Sequence, residues 1–150
     1  MATNGMKRLS DSVKFTVKFW ANLGERLTKM LLVRTFTKGI GADGRQFRDY
    51  SEAYKEFRQK KGRSTSPVTH TFTARFQKDL RRRRTTKTSV EYGWQKEGEK
   101  VEWALDNERD ILGATGVSKK EGKLIEDVVG SFIEKNIKTW AGKSVTVRVG

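Results

Sequence analysis

The strongest constraint on the fold is an amphipathic pattern near the C-terminus of this 150-residue chain. Ser118 and Glu121 have the spacing of a capping box, in which two side chains satisfy free amides at a helix start. The apolar residues that follow recur every three or four positions, the period of one helical face. They are Leu124, Ile125, Val128, Val129, Phe132, Ile133, Ile137 and Trp140. The pattern predicts a long helix that ends at Gly142.

A second long helix is predicted near the N-terminus, from about Ser10 to Val33. Its apolar positions again advance by three or four, and Ser10 or Asp11 can cap its first turn. The stripe consists of Val13, Val17, Trp20, Leu23, Leu27, Met30 and Leu31. Residues 1–9 precede this pattern and are expected to form a flexible arm.

Strand signals lie between and after these helices. β-branched and aromatic residues alternate with other residues over Thr85–Trp94, which predicts a half-buried strand. Val68–Phe72 alternates over a shorter length, and the spacing within Thr73–Arg82 indicates a short helix with Thr73 as its cap. Alternation that includes Val145 and Val147 predicts a terminal strand that can pair with the sheet or with a neighbouring subunit.

These elements predict one α+β domain spanning residues 1–150. We expect a small, mainly antiparallel β-sheet packed against the long N-terminal helix and the C-terminal helix. Val101–Leu105 fits either a further strand or the start of a short helix, because its apolar residues allow both periods. The Ser- and Gly-containing segment at residues 62–67 is expected to be a mobile loop.

The stretch from Gly39 to Gly62 combines a glycine turn with a short aromatic helix. Asp43-Gly44 is typical of tight turns, and Ser51 can cap a helix that Gly62 ends. Aromatic rings recur at helical spacing and predict a face that anchors on the core. Their positions are Phe47, Tyr50, Tyr54 and Phe57. The basic residues expected on the solvated side are Arg45, Arg48, Lys55, Arg58, Lys60 and Lys61.

Charge is unevenly distributed in this chain of net charge +14. Residues 34–87 carry 16 basic and 5 acidic residues, whereas residues 88–150 carry 10 and 11. Four adjacent arginines, Arg81–Arg84, repel one another unless a partner compensates them. One interpretation is contact with nucleic-acid phosphates. The other is self-association, in which the basic middle of one subunit meets the acidic Glu97–Asp110 region of the next.

Signals of catalysis are weak. The chain has one histidine, His70, and no cysteine, so it has no disulfide and no thiolate metal site. The Gly39–Gly44 glycines have the spacing of a dinucleotide loop, but they precede a charged aromatic segment instead of the helix of a βαβ unit. Asp106 and its acidic neighbours lack a calcium-loop pattern. We expect no enzymatic activity and no metal or cofactor. The longest apolar run, Met30–Val33, is far shorter than a membrane span.

The Gly39–Gly62 stretch also carries a family resemblance. Its Asp-Gly turn, the Phe-x-x-Tyr-Ser-x-x-Tyr pattern from Phe47 to Tyr54 and the lysine run before Gly62 resemble small neck and tail-completion proteins of tailed bacteriophages. Further segments typical of this virion morphogenesis, or head–tail joining, group follow in order, with Ala74 at a position where glycine is common. These segments are Pro67-Val68, Thr71-Phe72-Thr73-Ala74-Arg75 and Arg109-Asp110-Ile111-Leu112-Gly113.

The resemblance implies a structural virion protein that forms a six- or twelve-fold homo-oligomeric ring at the head–tail junction, after assembly in the host cytoplasm. Its partners would be portal, connector or adaptor proteins and a tail terminator or tail tube, with packaged DNA as a further contact and no membrane. The resemblance favours a helix from about Glu99.

Two sets of residues follow from these interpretations. The motif residues with a structural role are Asp43, Gly44, Phe47, Tyr50, Ser51, Tyr54, Arg109, Asp110 and Gly113. The residues expected at a subunit or partner interface are Arg63, Lys78, Arg81, Arg82, Arg83, Arg84, Lys87, Glu99, Glu102, Asp106, Val145 and Val147. The alternative function is nucleic-acid binding, with the Arg81–Arg84 cluster on phosphates and the rings of Phe47 and Tyr50 beside it.

Overall fold

The computed structural model describes residues 14–70, 74–113 and 116–141. In chain order its helices are α1 (Val17–Leu32), α2 (Glu52–Lys60), α3 (Arg75–Asp79), α4 (Glu99–Asp106) and α5 (Lys119–Ala141). Its strands are β1 (Arg81–Thr85) and β2 (Val90–Gly93), and a π-helical turn, Val33–Thr37, follows α1 directly. The predicted α+β class is confirmed, with long helices towards both ends and a small antiparallel sheet.

Several predictions fall outside the described residues. They are the arm at residues 1–9, the caps Ser10, Asp11 and Thr73, and the strand that contains Val145 and Val147. Within the described part of the chain, none of the helices combines the length and the apolar composition that crossing a membrane requires.

Helix α1 exists as predicted but begins at Val17, later than its apolar stripe suggests. Thr16 is in an extended conformation, and its hydroxyl accepts a hydrogen bond from the amide of Phe19 at 3.1 Å. This cap fixes the start of the helix. Val17 is 46% exposed and does not belong to the buried stripe, whereas Leu23, Leu27 and Leu31 are buried.

The predicted continuous strand over Thr85–Trp94 is wrong, because the chain reverses direction within it. The hydroxyl of Thr86 accepts hydrogen bonds from the amides of Thr88 at 3.2 Å and Ser89 at 3.0 Å, which closes a turn. The arginine run therefore becomes β1 and pairs antiparallel with β2, with a register shift between Arg82 and Arg84. The hairpin lies on α1, where Gly24 leaves room for the side chain of Val90.

The segments before and after this hairpin also differ from expectation. The described part of Val68–Phe72 is not a strand, and the short helix within Thr73–Arg82 is reduced to α3. Ala74 precedes α3 in a left-handed conformation with φ +61°, which glycine adopts more readily. The open choice at Val101–Leu105 is settled in favour of helix α4.

Helix α5 confirms the predicted capping box. The Ser118 amide donates to Oε2 of Glu121 at 2.7 Å, and the Glu121 amide donates to the Ser118 hydroxyl at 3.3 Å. Further along, the ring of Phe132 stacks on Phe15 with centroids 4.8 Å apart. The apolar stripe of α5 is only half-buried over its described part, and Ile137 is 41% exposed.

The main core lies between α1, α3, α4 and the Gly39–Tyr50 segment. Its central contact is Trp94 stacked on Phe76, with ring centroids 4.8 Å apart and an indole N–H that donates to the Phe76 carbonyl at 2.9 Å. The buried members of this core are Leu31, Phe36, Phe47, Tyr50, Val68, Phe76, Leu80, Trp94, Ala104 and Ile111. This core positions the loops and helices that carry the charged surfaces.

Candidate interaction site

The motif segments that are distant in sequence form one unit in the fold. The amide of Ala42 donates to the Asp110 carbonyl at 2.9 Å, and the Asp110 carboxylate accepts from the Gly113 amide at 2.6 Å. Arg109 is buried and donates to the Arg48 carbonyl at 3.3 Å. In the Asp43-Gly44 turn, Oδ1 of Asp43 accepts a hydrogen bond from the amide of Arg45 at 2.9 Å. These residues hold backbone segments together.

Helix α2 is capped by Ser51 as predicted, but the buried residue of the helix is Arg58 and not an aromatic residue. Phe47 and Tyr50 are buried, whereas Phe57 is 44% exposed. Arg58, expected on the solvated side, is only 4% exposed. Its guanidinium lies 4.9 Å from the centroid of the Tyr50 ring, and its Nε donates to the Ser64 carbonyl at 2.7 Å. A cation over an aromatic face explains this burial.

The burial of Phe47 and Tyr50 corrects one part of the nucleic-acid prediction. Rings that are 6% and 7% exposed offer no face on which a base can stack.

The sequence does contain a signal for the burial of Arg58. Arg58 lies four residues after Tyr54, the spacing that places two side chains on one helical face. Residues 62–67, predicted to be mobile, contain two hydrogen bonds between Ser64 and Ser66.

His70 lies beside a cavity of about 450 Å³ that Tyr50, Trp103 and Arg109 also line. Its ring packs edge-on against Phe47 at 5.0 Å, and its Nε2 is buried without a hydrogen-bond partner among the described residues. Burial, and secondly the charge of Arg109, lower the pKa of His70 to about 4. The imidazole is therefore neutral near neutral pH.

We expect the stability of the protein to fall more between pH 7 and pH 5 than that of a His70→Gln variant. In the unfolded chain His70 titrates near pKa 6.5, whereas in the folded protein its pKa is about 4. As the pH drops below 6.5, the unfolded state binds a proton first, which lowers the free energy of unfolding by about 2 kcal/mol at pH 5. Urea denaturation of both proteins at the two pH values measures the difference. Equal losses of unfolding free energy in the two proteins would contradict a lowered pKa of His70 in the folded state.

The predicted basic cluster lies on the hairpin, where all four arginines of β1 are exposed. Arg81 donates to the Gln95 side chain at 2.8 Å, and Arg83 donates to the Trp94 carbonyl at 3.1 Å. Arg82 lies 3.7 Å from the carboxylate of Glu25. We call Arg81–Arg84 the arginine strand. Lys78, Lys87 and Arg63 are exposed as well, so this part of the predicted interface is accessible.

The base of the hairpin is held by Asp79. One of its carboxylate oxygens accepts the amides of Gln95, Lys96 and Glu97 at 2.7–2.9 Å. These backbone bonds, above all the one from Glu97, keep the pKa of the Asp79 carboxyl below its ordinary value. The arginine strand is thereby fixed relative to the segment that leads into α4.

Helix α4 carries the predicted acidic residues Glu99, Glu102 and Asp106, all exposed. None of the three forms an ion pair with another residue that the structure describes. The same helix exposes two large apolar side chains, Trp103 at 54% and Leu105 at 58%. Exposed apolar residues next to unpaired charges are typical of a surface that binds a partner. Sequence reasoning did not single out this pair.

A second surface that sequence reasoning missed is a groove of about 660 Å³ between the end of α1, the glycine turn and the start of α5. Its apolar lining includes Met30, Val33, Ile40, Ala42 and Leu124. Its basic lining includes Arg26, Lys29, Lys38, Lys119 and Lys120. We call this surface the basic groove. Among the described residues these five have no acidic partner, whereas Nε of Arg34 lies 3.1 Å from Oε1 of Glu121.

Comparison with known protein families, curated proteins and solved structures finds no match to this chain. Within residues 14–70, 74–113 and 116–141, no group of three or more histidine and acidic side chains could hold a metal ion. The described residues present three surfaces that a partner could bind: the arginine strand, the exposed face of α4 and the basic groove.

Proposed function

We propose that this protein is a structural subunit that assembles with copies of itself. The observation that carries this proposal is that one chain exposes unpaired charges of both signs on different surfaces. The three carboxylates of α4 lie beside Trp103 and Leu105, while Arg26 and the four lysines of the basic groove lack acidic partners among the described residues. Each copy thus offers a neighbour both halves of a complementary contact.

A contact between two different surfaces has a consequence for the shape of the assembly. Such a heterologous contact repeats from copy to copy, and it closes into a ring when the rotation between subunits allows. A contact that placed two arginine strands against each other would instead juxtapose eight like charges. Charge therefore favours head-to-tail association over a symmetric dimer through the hairpin.

For the biological setting, we propose the neck of a tailed phage, where a six- or twelve-fold ring would join portal, connector or adaptor proteins to a tail terminator or tail tube. The resemblance in the sequence supports this setting. Two structural observations agree with it: the Asp43-Gly44 turn packs with the Arg109–Gly113 segment, and Ala74 has the backbone conformation of a glycine. In such a ring, formed in the host cytoplasm, the arginine strand would be available to packaged DNA.

The purified protein should form a discrete oligomer. At low ionic strength, where exposed charges are least screened, we expect light scattering behind a sizing column to give a mass several times that of the monomer. Negative-stain images should then show closed rings. Raising the salt concentration should shift the population towards smaller species. A single monomeric mass at every concentration and ionic strength would contradict self-association.

A second candidate function is nucleic-acid binding by the monomer. It is favoured by the exposure of all four arginines on one strand. On this alternative, the affinity for duplex DNA would fall steeply with salt, since each phosphate contact releases counterions. A monomer with such salt-dependent binding, lost when Arg82 and Arg84 are replaced by glutamine, would support this alternative over the ring.

A further inference from the structure

We propose that the basic groove of one copy receives helix α4 of the next copy. This inference rests on the proposed self-association and identifies its two halves. The sequence suggested a contact between the basic middle, residues 34–87, and the acidic Glu97–Asp110 region; here the basic groove takes the place of that middle. Three features of the structure carry it: the composition of the groove, the exposed face of α4 and the unsuitability of the arginine strand.

The basic groove combines apolar surface with positive charges that have no acidic partner in the described part of the chain. Val33 is 39% exposed, and Met30, Ile40 and Leu124 are half-buried, so an occupant can bury further apolar area here. Of the acidic side chains that line the groove, Glu121 is 1% exposed and directed to Arg34. The other, Asp43, lies 3.8 Å from Arg45. The groove therefore attracts a segment that is both acidic and apolar.

Two of the groove lysines are in an electrostatically unfavourable place. Lys119 and Lys120 are the first two residues of α5, where the aligned peptide dipoles give the helix a partial positive charge. Glu121, in the same turn, is buried against Arg34. A carboxylate that approached these lysines would meet two ammonium groups and the positive helix end together. An acidic occupant is thus more strongly attracted than the lysines alone would suggest.

The exposed face of α4 has the required composition. With 100° between successive residues, Glu99, Glu102 and Asp106 fall on one side of the helix, with Trp103 and Leu105 at its two borders. The opposite side faces the core, where Ala104 is fully buried. The helix can therefore present three carboxylates and two apolar side chains to a neighbour without losing its own packing.

The arginine strand is a poorer acceptor for this helix. Arg81 and Arg82 already lie within 3.8 Å of Asp79 and Glu25, respectively. The side chains of β1 present charge and little apolar surface, so Trp103 and Leu105 would remain in water. The chain's own ends are also poor occupants of the groove. Residues 1–13 and 142–150 each carry more basic than acidic residues.

The test uses charge reversal in each half of the proposed contact. One variant carries Glu102→Lys and Asp106→Lys on α4, and the other carries Lys29→Glu and Lys119→Glu in the groove. Each alone should raise the dissociation constant for self-association about 100-fold or more, because like charges now face each other. An equimolar mixture should recover the assembly. The first variant keeps a native groove, the second keeps a native α4, and the two reversed surfaces match.

Lys60→Glu with Lys61→Glu is the matched control, since both lysines are exposed near the end of α2 and the change in net charge equals that in the groove variant. It should assemble like the native protein. Recovery in the mixture also shows that both variants are folded. Groove variants that assemble normally, or a mixture that does not recover, would overturn the inference. A third variant carries Arg82→Glu and Arg84→Glu on the arginine strand. If only this variant failed to assemble, the protein would still self-associate, but through the arginine strand instead of the basic groove. A monomeric native protein would overturn the proposed function as well.

Discussion

Replacing Glu121 with alanine should lower the free energy of unfolding by about 3–5 kcal/mol, the cost of leaving one partner of a buried ion pair alone. Glu121 is 1% exposed, and its Oε1 lies 3.1 Å from Nε of Arg34. Its Oε2 also accepts the Ser118 amide at 2.7 Å. The substitution would leave Nε of Arg34 and a helix-start amide without their acceptor, and the buried guanidinium without a counter-charge.

Urea denaturation followed by circular dichroism measures this loss. Glu134→Ala is the control on the same helix, because the ion pair of Glu134 with Lys138 is exposed at 2.6 Å. Such a surface pair contributes far less than a buried one, because water and salt screen it. Similar losses in the two variants would mean that the Arg34–Glu121 pair does not stabilise the junction between α1 and α5.

Gly39→Ala should destabilise the protein by about 3 kcal/mol or more. Gly39 has φ +65°, a conformation that costs an L-residue about 1–2 kcal/mol. A Cβ at this position would also overlap the backbone carbonyl oxygen of Val68. Backbone atoms of a buried segment can move only by disturbing the core, which adds a further cost of about 1–3 kcal/mol.

Gly44→Ala separates the two contributions. Gly44 has φ +87°, but a Cβ there would have no atom within 4 Å. Only the conformational cost should therefore remain, and the midpoint of thermal unfolding should fall by clearly less than for Gly39→Ala. Equal shifts would show that the approach of Val68 to Gly39 is not a tight contact in solution.

The long helices could be predicted because their signals are local. The α5 capping box and apolar stripe lie within one continuous segment, and Ser51 and Gly62 mark the ends of α2 in the same way. The hairpin could not be predicted. Its first strand consists of four arginines, which do not alternate with apolar residues, and its turn depends on the hydroxyl of Thr86. Burial of Arg58 depends on the ring of Tyr50, eight residues away, which a rule that places charges in water does not consider.

The candidate site was predicted in part. The acidic residues of α4 and the arginine run could be read from the sequence because each is contiguous. The basic groove could not, since it joins residues 26–44 to residues 118–124, and only the fold brings these segments together. In a chain with 32 basic residues, five of them on one surface give no signal of their own. Their proximity is a tertiary property.

A sheet of only two strands has two open hydrogen-bonding edges. Among the described residues no third strand pairs with β1 or β2, so within this part of the chain the outer edge of each strand has no strand partner. Such edges invite strand addition between molecules, and charged side chains are a common protection against it. Four consecutive arginines on β1 would keep crowded copies from polymerising through their backbones. Neutralising all four is thus expected to increase precipitation or fibril formation at high protein concentration.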